Sequence, residues 1–458
     1  MRPLMVLGCT SGAGKSWLVT ALCRWFARQG VDVVPFKAQN MSNNARVVDG
    51  GEIGVAQWLQ ARAAGVEPDV RMNPLLLKPE ADTRSQVVIE GRASAGLTAM
   101  PWRQRGAHVW PAMAAALEAL IAEHELVVIE GAGSPAEINL PDLVNNRVLA
   151  HADAAALLVA DIDRGGAFAH LYGTWCLVPD ATRERLAGYV LNRFRGDAGL
   201  LSPGPERLTE LTGMTCAGVI PMVRHELPDE EGMTVRADPG PGTRRVAVAR
   251  FPYGSNLDEL HLLARAARVT MAAHPDDLAG AHLVVLPGSK HVAADLAWLR
   301  SSGLADAIVA GDAPVLGICG GCQMLGTRVS DPDGVEGGRA GTVDGLGLLA
   351  FTTVYDGDKV TRRRDVTFPA ELPPPWEALR GVTAAGYEIR HGRTPGGPVW
   401  AEGRVLATTV HGLLEDPEVV ERLVGRRPPP VLEETFDLLA DVVEAELDTG
   451  LLRRLGRR

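Results

Sequence analysis

Short apolar runs alternate with amphipathic stretches along the first half of the chain. Runs of strand length occur at Leu4–Leu7, Val31–Phe36, Val87–Ile89, Leu126–Ile129, Ala155–Ala160, Gly188–Leu191 and Ala217–Ile220. Between several of them, Ser16–Gln29 and Trp110–His124 repeat apolar residues at helical spacing. This alternation predicts βαβ units, a parallel sheet with helices on both faces. The pattern breaks at 228–245, where three prolines, three glycines and clustered charge lack any apolar period, as a linker would. It restarts with Val246–Ala249 and a helix opened by Ser255 or Asn256 as N-cap, ahead of Leu257, Leu260, Leu263 and Ala264. The run His282–Leu286, a helix over Val292–Arg300, the strand Pro314–Ile318 and a helix from about Gly321 follow. Beyond Gly341 the pattern suggests shorter, more antiparallel strands (Val399–Ala401, Val405–Thr409), then a final helix, Val431–Leu447, and a basic tail. The expected division is a first domain at 1–230, a linker at 231–245, a second domain at 246–428 and a C-terminal helix and tail at 429–458.

Composition narrows the function classes. With 458 residues, 46% hydrophobic, the chain is long enough for more than one core. Its net charge of −10 and the lack of a basic run before the C-terminus argue against nucleic acid as a partner. No apolar stretch approaches the ~20 residues of a membrane span, so no membrane partner is expected. The start MRPLMVLG runs directly into a glycine-rich loop and Lys15, unlike a secretion signal. Six cysteines in a chain of this length do not make a disulfide framework. The expectation is a reduced, soluble, cytoplasmic enzyme. A homo-oligomer is compatible with the sequence, which does not give the oligomeric state.

The first candidate chemistry is a phosphate cradle. Gly8-Cys9-Thr10-Ser11-Gly12-Ala13-Gly14-Lys15-Ser16 lies between a strand and a helix. Gly12 and Gly14 let the backbone around Thr10 and Ser11 curl so that its N–H groups face an anion. Lys15 can reach the β- and γ-phosphates of ATP, and Ser16 can ligate Mg²⁺. Five residues separate Gly8 from Gly14, one more than the usual spacing. Glu130 follows a strand and precedes a glycine turn, at the edge where open α/β sheets bind ligands, so it can hold Mg²⁺ with Ser16. Asp161 and Asp163 end another strand; a solvated strand-end acid is the competing reading of each.

The second is a nucleophile elbow. Gly317-Ile318-Cys319-Gly320-Gly321 has the G-x-nucleophile-x-G form between strand and helix, where small neighbours allow a sharp turn and a helix N-terminus favours thiolate. The Gly320 N–H is one candidate oxyanion donor and Gly288, in the Pro287-Gly288-Ser289 turn, a second. His411, ending a late strand, is the candidate base. The alternative for Cys319-x-x-Cys322 is a redox dithiol; no second C-x-x-C or close His pair completes a zinc site.

Taken together, PFKAQNMSNNA (35–45), GGEIGVAQ (50–57), MNPLLLKP (72–79), VIEGAGSPAEINL (128–140), ADIDRGGAF (160–168), LNRFRGD (191–197), VLPGSK (285–290), GICGG (317–321) and GYEI (386–389) resemble, in this order, the cobyric acid synthase family, the glutamine-dependent amidases of cobalamin biosynthesis. The resemblance implies a P-loop domain similar to dethiobiotin synthetase, joined to a C-terminal class I-like glutamine amidotransferase domain, both α/β. It implies amidation of the b, d, e and g carboxylates of adenosylcobyrinic acid a,c-diamide, with glutamine and ATP–Mg²⁺ consumed. For that corrinoid substrate, Lys37, Asn40, Asp161, Arg164 and Arg193 become candidate contacts, with Arg46, Lys78, Arg84 and Arg195 further cations in or near the resembling stretches. Two departures matter. Cys322 stands where the family usually has an aromatic residue, so a Cys319–Cys322 disulfide is a testable inactivation route. Leu413 stands where many glutaminases carry a glutamate two residues after the histidine, so a Cys–His pair with weak unaided activity is expected. Runner-up readings are the related synthase that amidates the a and c carboxylates, and a partitioning-type ATPase that would need no elbow.

Overall fold

The computed structural model describes residues 1–81, 83–139, 142–228, 242–429 and 432–456. Residues 231–241 of the expected linker therefore lie outside the described residues.

The first domain is built on six parallel strands: β1 (Leu4–Gly8), β2 (Val33–Phe36), β3 (Leu126–Glu130), β4 (Ala155–Asp161), β5 (Leu186–Phe194) and β6 (Thr215–Pro221). Their order is β6-β5-β4-β1-β3-β2. Strands β1 to β4 are buried along their whole length, as expected where helices cover both faces of a sheet. Chain direction across the sheet reverses around β1, and the carboxyl ends of β1, β3, β4 and β5 carry the Gly8 loop, Glu130, Asp161 and Asn192. Such a crevice is where open α/β sheets take ligands. One expected strand sits elsewhere: Val87–Ile89 belongs to Arg84–Ile89 in a small four-stranded side sheet, not to the main one.

The second domain repeats the plan. Strands β7 (Arg245–Ala249), β8 (Arg268–Ala272), β9 (Leu283–Leu286), β10 (Val315–Ile318), β11 (Val399–Glu402) and β12 (Val405–Thr408) are ordered β8-β7-β9-β10-β12-β11. Only the β11–β12 pair of this sheet is antiparallel. A separate sheet holds the long strands Thr352–Arg363 and Tyr387–Arg393. These face the hairpin Ala45–Val48/Gly51–Gly54 of the first domain.

The C-terminal segment returns to the first domain. Helix α1 (Lys15–Arg28) buries Leu18, Leu22, Trp25 and Phe26 against Phe436, Leu439, Ala440 and Val443 of the helix Leu432–Glu446. Arg24–Asp437 (2.8 Å) and Arg28–Asp441 (2.7 Å) flank the contact. A second short helix, Thr449–Leu455, adds Leu451 and Leu452 to that core. Among the described residues no helix is long and apolar enough to cross a membrane.

Candidate active sites

The loop Gly8–Ser16 leads from β1 into α1. Gly14 has φ +98°, and a Cβ there would lie 2.0 Å from Asn192 Nδ2. That amide, from the end of β5, donates to the Ala13 carbonyl at 2.9 Å and braces the loop. Ser11 and Gly12 stand exposed, Thr10 is half-buried, and buried Lys15 bends back to donate from Nζ to the Thr10 carbonyl at 3.3 Å. Ser16 Oγ donates to Glu130 Oε1 at 2.8 Å. The same carboxylate oxygen meets Lys37 Nζ at 2.8 Å, and Gln60 Nε2 donates to the other oxygen at 2.5 Å. Burial opposes a charge on Glu130, but Lys37, Gln60 and Ser16 overcome it and hold the carboxyl below its ordinary range. Two oxygen donors at the start of a helix, beside an anion cradle, fit Mg²⁺, which takes one or two protein oxygens and completes its shell with phosphate and water.

Asp161 is buried at the end of β4 and bridges Arg193 Nη1 (2.8 Å) and Arg164 Nε (3.3 Å). Its Oδ1 accepts from the Asp163 N–H at 3.0 Å. Arg164 is exposed, and its Nη2 comes within 3.7 Å of a Cβ built on Gly12. These two arginines therefore stand at the mouth of the loop. Arg195 pairs with Asp163 nearby. The other candidates are placed differently. Lys37 lies against Glu130, and Asn40 is buried with Nδ2 on Gln57 Oε1 at 3.1 Å. Arg46 and Lys78 are buried in ion pairs at the seam between the domains, Lys78 with Glu52 (2.8 Å), which also pairs Lys359 of the second domain. Arg84 pairs with Glu80 at 3.1 Å.

In the second domain β10 is followed directly by Cys319, whose φ of +49° marks the strained turn an elbow requires. The flanking glycines are dictated by packing: a Cβ on Gly321 would lie 2.0 Å from the Leu286 carbonyl oxygen, and one on Gly320 2.6 Å from the Ser289 nitrogen. Helix α2 (Gly320–Leu325) starts directly behind the thiol. His411 is 1% exposed, within hydrogen-bonding reach of Cys319, and its Nδ1 lies 2.8 Å from Glu259 Oε1. The other Glu259 oxygen accepts from the Gly412 N–H at 2.9 Å. Burial works against a charged imidazole; the Cys319 sulfur and the Glu259 carboxylate outweigh it, so its pKa is pushed up to about 10. Gly288 pairs with Ser255 in a two-strand ladder, close enough that a Cβ on it would meet His411 Cε1 at 2.7 Å. A pocket enclosing about 450 Å³, mouth included, opens onto Cys319 and takes its lining from both domains, Lys78 from the first and Ser289, Gln323, Tyr355 and Arg390 from the second.

Three of these residues were not singled out from the sequence. Glu259 supplies an acid to His411 where only a Cys–His pair was expected, while Leu413 packs into the core. It lies 152 residues before His411, and no spacing signals it. Asn192 and Gln60 likewise act across long separations, although Asn192 lies inside the resembling stretch at 191–197. Asn256 takes the expected N-cap position, ahead of the short helix Leu257–Glu259, but at φ +54° and without a side-chain cap bond, its amide donating to Tyr387 Oη and to the Ala45 carbonyl. Cys322 is a free, fully buried thiol, its pKa raised by burial, packed among Leu286, Met324 and Leu325.

Comparison with known proteins matches both halves. A model of the CobQ/CobB/MinD/ParA nucleotide binding domain covers residues 4–234, and one of the CobB/CobQ-like glutamine amidotransferase domain covers residues 245–419. A cobyric acid synthase of Variovorax paradoxus (strain S110) is 54% identical over 99% of this chain and 99% of its own. One of Methylibium petroleiphilum is 53% identical over 99% of this chain and 96% of its own. One of Deinococcus radiodurans is 51% identical over 98% of each. With end-to-end identity at this level and both domain models matched in order, the chain belongs to the cobyric acid synthase family.

Proposed function

We propose that this chain amidates the b, d, e and g carboxylates of adenosylcobyrinic acid a,c-diamide to give adenosylcobyric acid, acting in the cytoplasm. The coarser statement, an ATP- and glutamine-dependent amidating ligase of cobalamin biosynthesis, follows from family membership. The observation that carries the mechanism is the pairing in one chain of a phosphate cradle backed by Glu130 with a Cys319–His411–Glu259 constellation.

Cys319 attacks the amide carbon of glutamine, and the N–H groups of Gly320 and Gly288 are the donors proposed for the oxyanion. His411, held at Nδ1 by Glu259, gives its proton to the departing ammonia. It then takes one from the water that cleaves the thioester and releases glutamate. In the first domain the loop N–H groups and Lys15 hold the ATP phosphates, while the γ-phosphoryl passes to a substrate carboxylate. A carboxylate is a poor electrophile; its mixed anhydride with phosphate is a good one, and ammonia displaces the phosphate. Mg²⁺, held by Ser16 and Glu130, would supply positive charge to the phosphates. Arg164 and Arg193, at the mouth of the loop, are suited to clamp a carboxylate bidentately. Lys37 and Asn40 are assigned to the inner wall and Asp161 to orienting the two arginines.

The test is to incubate the chain with the a,c-diamide, glutamine and ATP–Mg²⁺ and follow amide formation on the corrinoid by mass spectrometry. Four new amides, with one ADP and one glutamate for each, are expected. Amidation of cobyrinic acid at a and c only would replace this substrate by that of the related synthase.

A further inference from the structure

The turn that carries Glu259 is held by the other domain. Three consecutive residues of the first domain, at the start of the hairpin Ala45–Val48/Gly51–Gly54, grip the turn Asn256–Glu259. Asn44 Oδ1 accepts from the Leu257 N–H at 3.1 Å, and the Ala45 carbonyl accepts from Asn256 Nδ2 at 3.2 Å. Arg46, 5% exposed, pairs through Nη2 with Asp258 and with Glu415 (2.5 Å). Its Nη1 donates to Tyr387 Oη at 2.7 Å. Two of these partners lead to the glutaminase machinery. Asp258 adjoins Glu259 in the chain. Tyr387 stacks on His411, with ring centroids 5.6 Å apart and planes at 22°. Tyr387 and His411 also exchange backbone N–H···O bonds of 3.0 and 2.9 Å.

We propose that Arg46 is a positioning residue of the glutaminase supplied by the nucleotide domain, so that the Cys319–His411–Glu259 constellation is complete only when the two domains are docked. The coupling is electrostatic and geometric, and it rests on the amidotransferase reading above. Asp258, Glu259 and Glu415 converge behind His411, and the Arg46 guanidinium answers two of these carboxylates at once. Without it Asp258 is a buried acid lacking its counter-charge, a state that proteins relieve by moving the segment or taking up a proton. Movement of the segment displaces Glu259, whose two oxygens fix the ring and the Gly412 N–H. Arg46 does not itself line the pocket, so its influence on glutamine is indirect.

The experiment uses the full chain with Arg46→Ala, Arg46→Gln and Arg46→Lys. Glutamate release is measured against glutamine concentration, and amidation driven by ammonium salt is measured in parallel. Arg46→Ala and Arg46→Gln should lose roughly 30-fold or more in kcat for glutamate release, with KM for glutamine changed by less than about threefold, the signature of lost transition-state positioning. Ammonium-driven amidation should stay within about threefold of the parent, because that reaction bypasses Cys319 and His411. Arg46→Lys, which restores charge without the planar fork, should recover part of the loss. The proposal is overturned if all three variants release glutamate within about threefold of the parent, if the loss falls on KM, or if ammonium-driven amidation drops in parallel. A parent chain whose glutamate release does not depend on Cys319 would instead overturn the amidotransferase reading itself.

Discussion

Replacing Glu259 by glutamine removes one charge and little else. The side chain keeps its shape and can still face His411 Nδ1 and the Gly412 N–H, which Glu259 now meets at 2.8 and 2.9 Å. What is lost is stabilisation of the imidazolium that forms when His411 takes a proton. The imidazole is held at about 10 rather than 6.5, which at ~1.4 kcal/mol per unit is about 5 kcal/mol in favour of the charged ring. That preference is won against burial by two partners, Cys319 and Glu259. Removing one of these two partners should therefore cost on the order of 10- to 100-fold in kcat for glutamate release. KM for glutamine should move by less than about threefold, since Glu259 does not line the pocket. Glu259→Ala should cost more, because it also strips two hydrogen bonds from the end of the strand. Steady-state glutamate release at saturating glutamine, with ATP–Mg²⁺ and corrinoid present, is the assay. A Glu259→Gln chain turning over within about threefold of the parent would refute the reasoning and return the site to a two-residue pair.

Other consequences follow from the same geometry. Gly14→Ala would push a Cβ into Asn192 at a backbone angle only glycine takes easily, so ATP affinity should collapse while basal glutamate release persists; calorimetric titration with ATP–Mg²⁺ checks this. Glu388 is fully buried; burial opposes its charge, but Arg362, Arg390, Thr409 and Arg364 prevail and hold its pKa at about 2 rather than 4.5. A depressed acid contributes stability above its unfolded pKa and loses it as pH falls, so Glu388→Gln should cost about 3 kcal/mol at pH 7. The gap to the parent should close as pH falls from 4.5 towards 2 in denaturant melts. Phe436→Ala should destabilise the first domain by about 3–5 kcal/mol, read as earlier loss of nucleotide-protected folding, since Phe436 fills the groove beside Leu18, Leu22 and Trp25.

The parts of both sites that lie on one stretch of chain were readable as sequence. A strand, a glycine loop, Lys15-Ser16 and a helix are contiguous, and so are the residues of the Cys319 elbow, because each needs a particular local backbone path. Partners that arrive from elsewhere were not. Gln60 reaches Glu130 across 70 residues, Glu259 reaches His411 across 152, and Arg46 reaches Asp258 across 212. Nothing in hydrophobic periodicity marks such pairs. The same limit explains the fold differences. A short apolar run identifies Val87–Ile89 as a strand but not the sheet it joins, and an amphipathic Val431–Leu447 does not say which domain covers its apolar face. Asn256 has the right chemistry for a cap, yet a carbonyl and a tyrosine brought in by tertiary structure recruit its amide instead. Arg46 and Lys78 stand out in the sequence as cations, while their burial in ion pairs at a domain seam is invisible in one dimension.

The central claim is that two sites in one chain are joined by ammonia. The most direct test measures amidation of the a,c-diamide by Cys319→Ala, with glutamine and separately with an ammonium salt, in the presence of ATP–Mg²⁺. The account requires that glutamine no longer supports amidation while ammonium does, at a rate comparable to the parent with ammonium. Amidation from glutamine surviving in Cys319→Ala, or ammonium failing to restore it in a chain that still binds ATP, would contradict it.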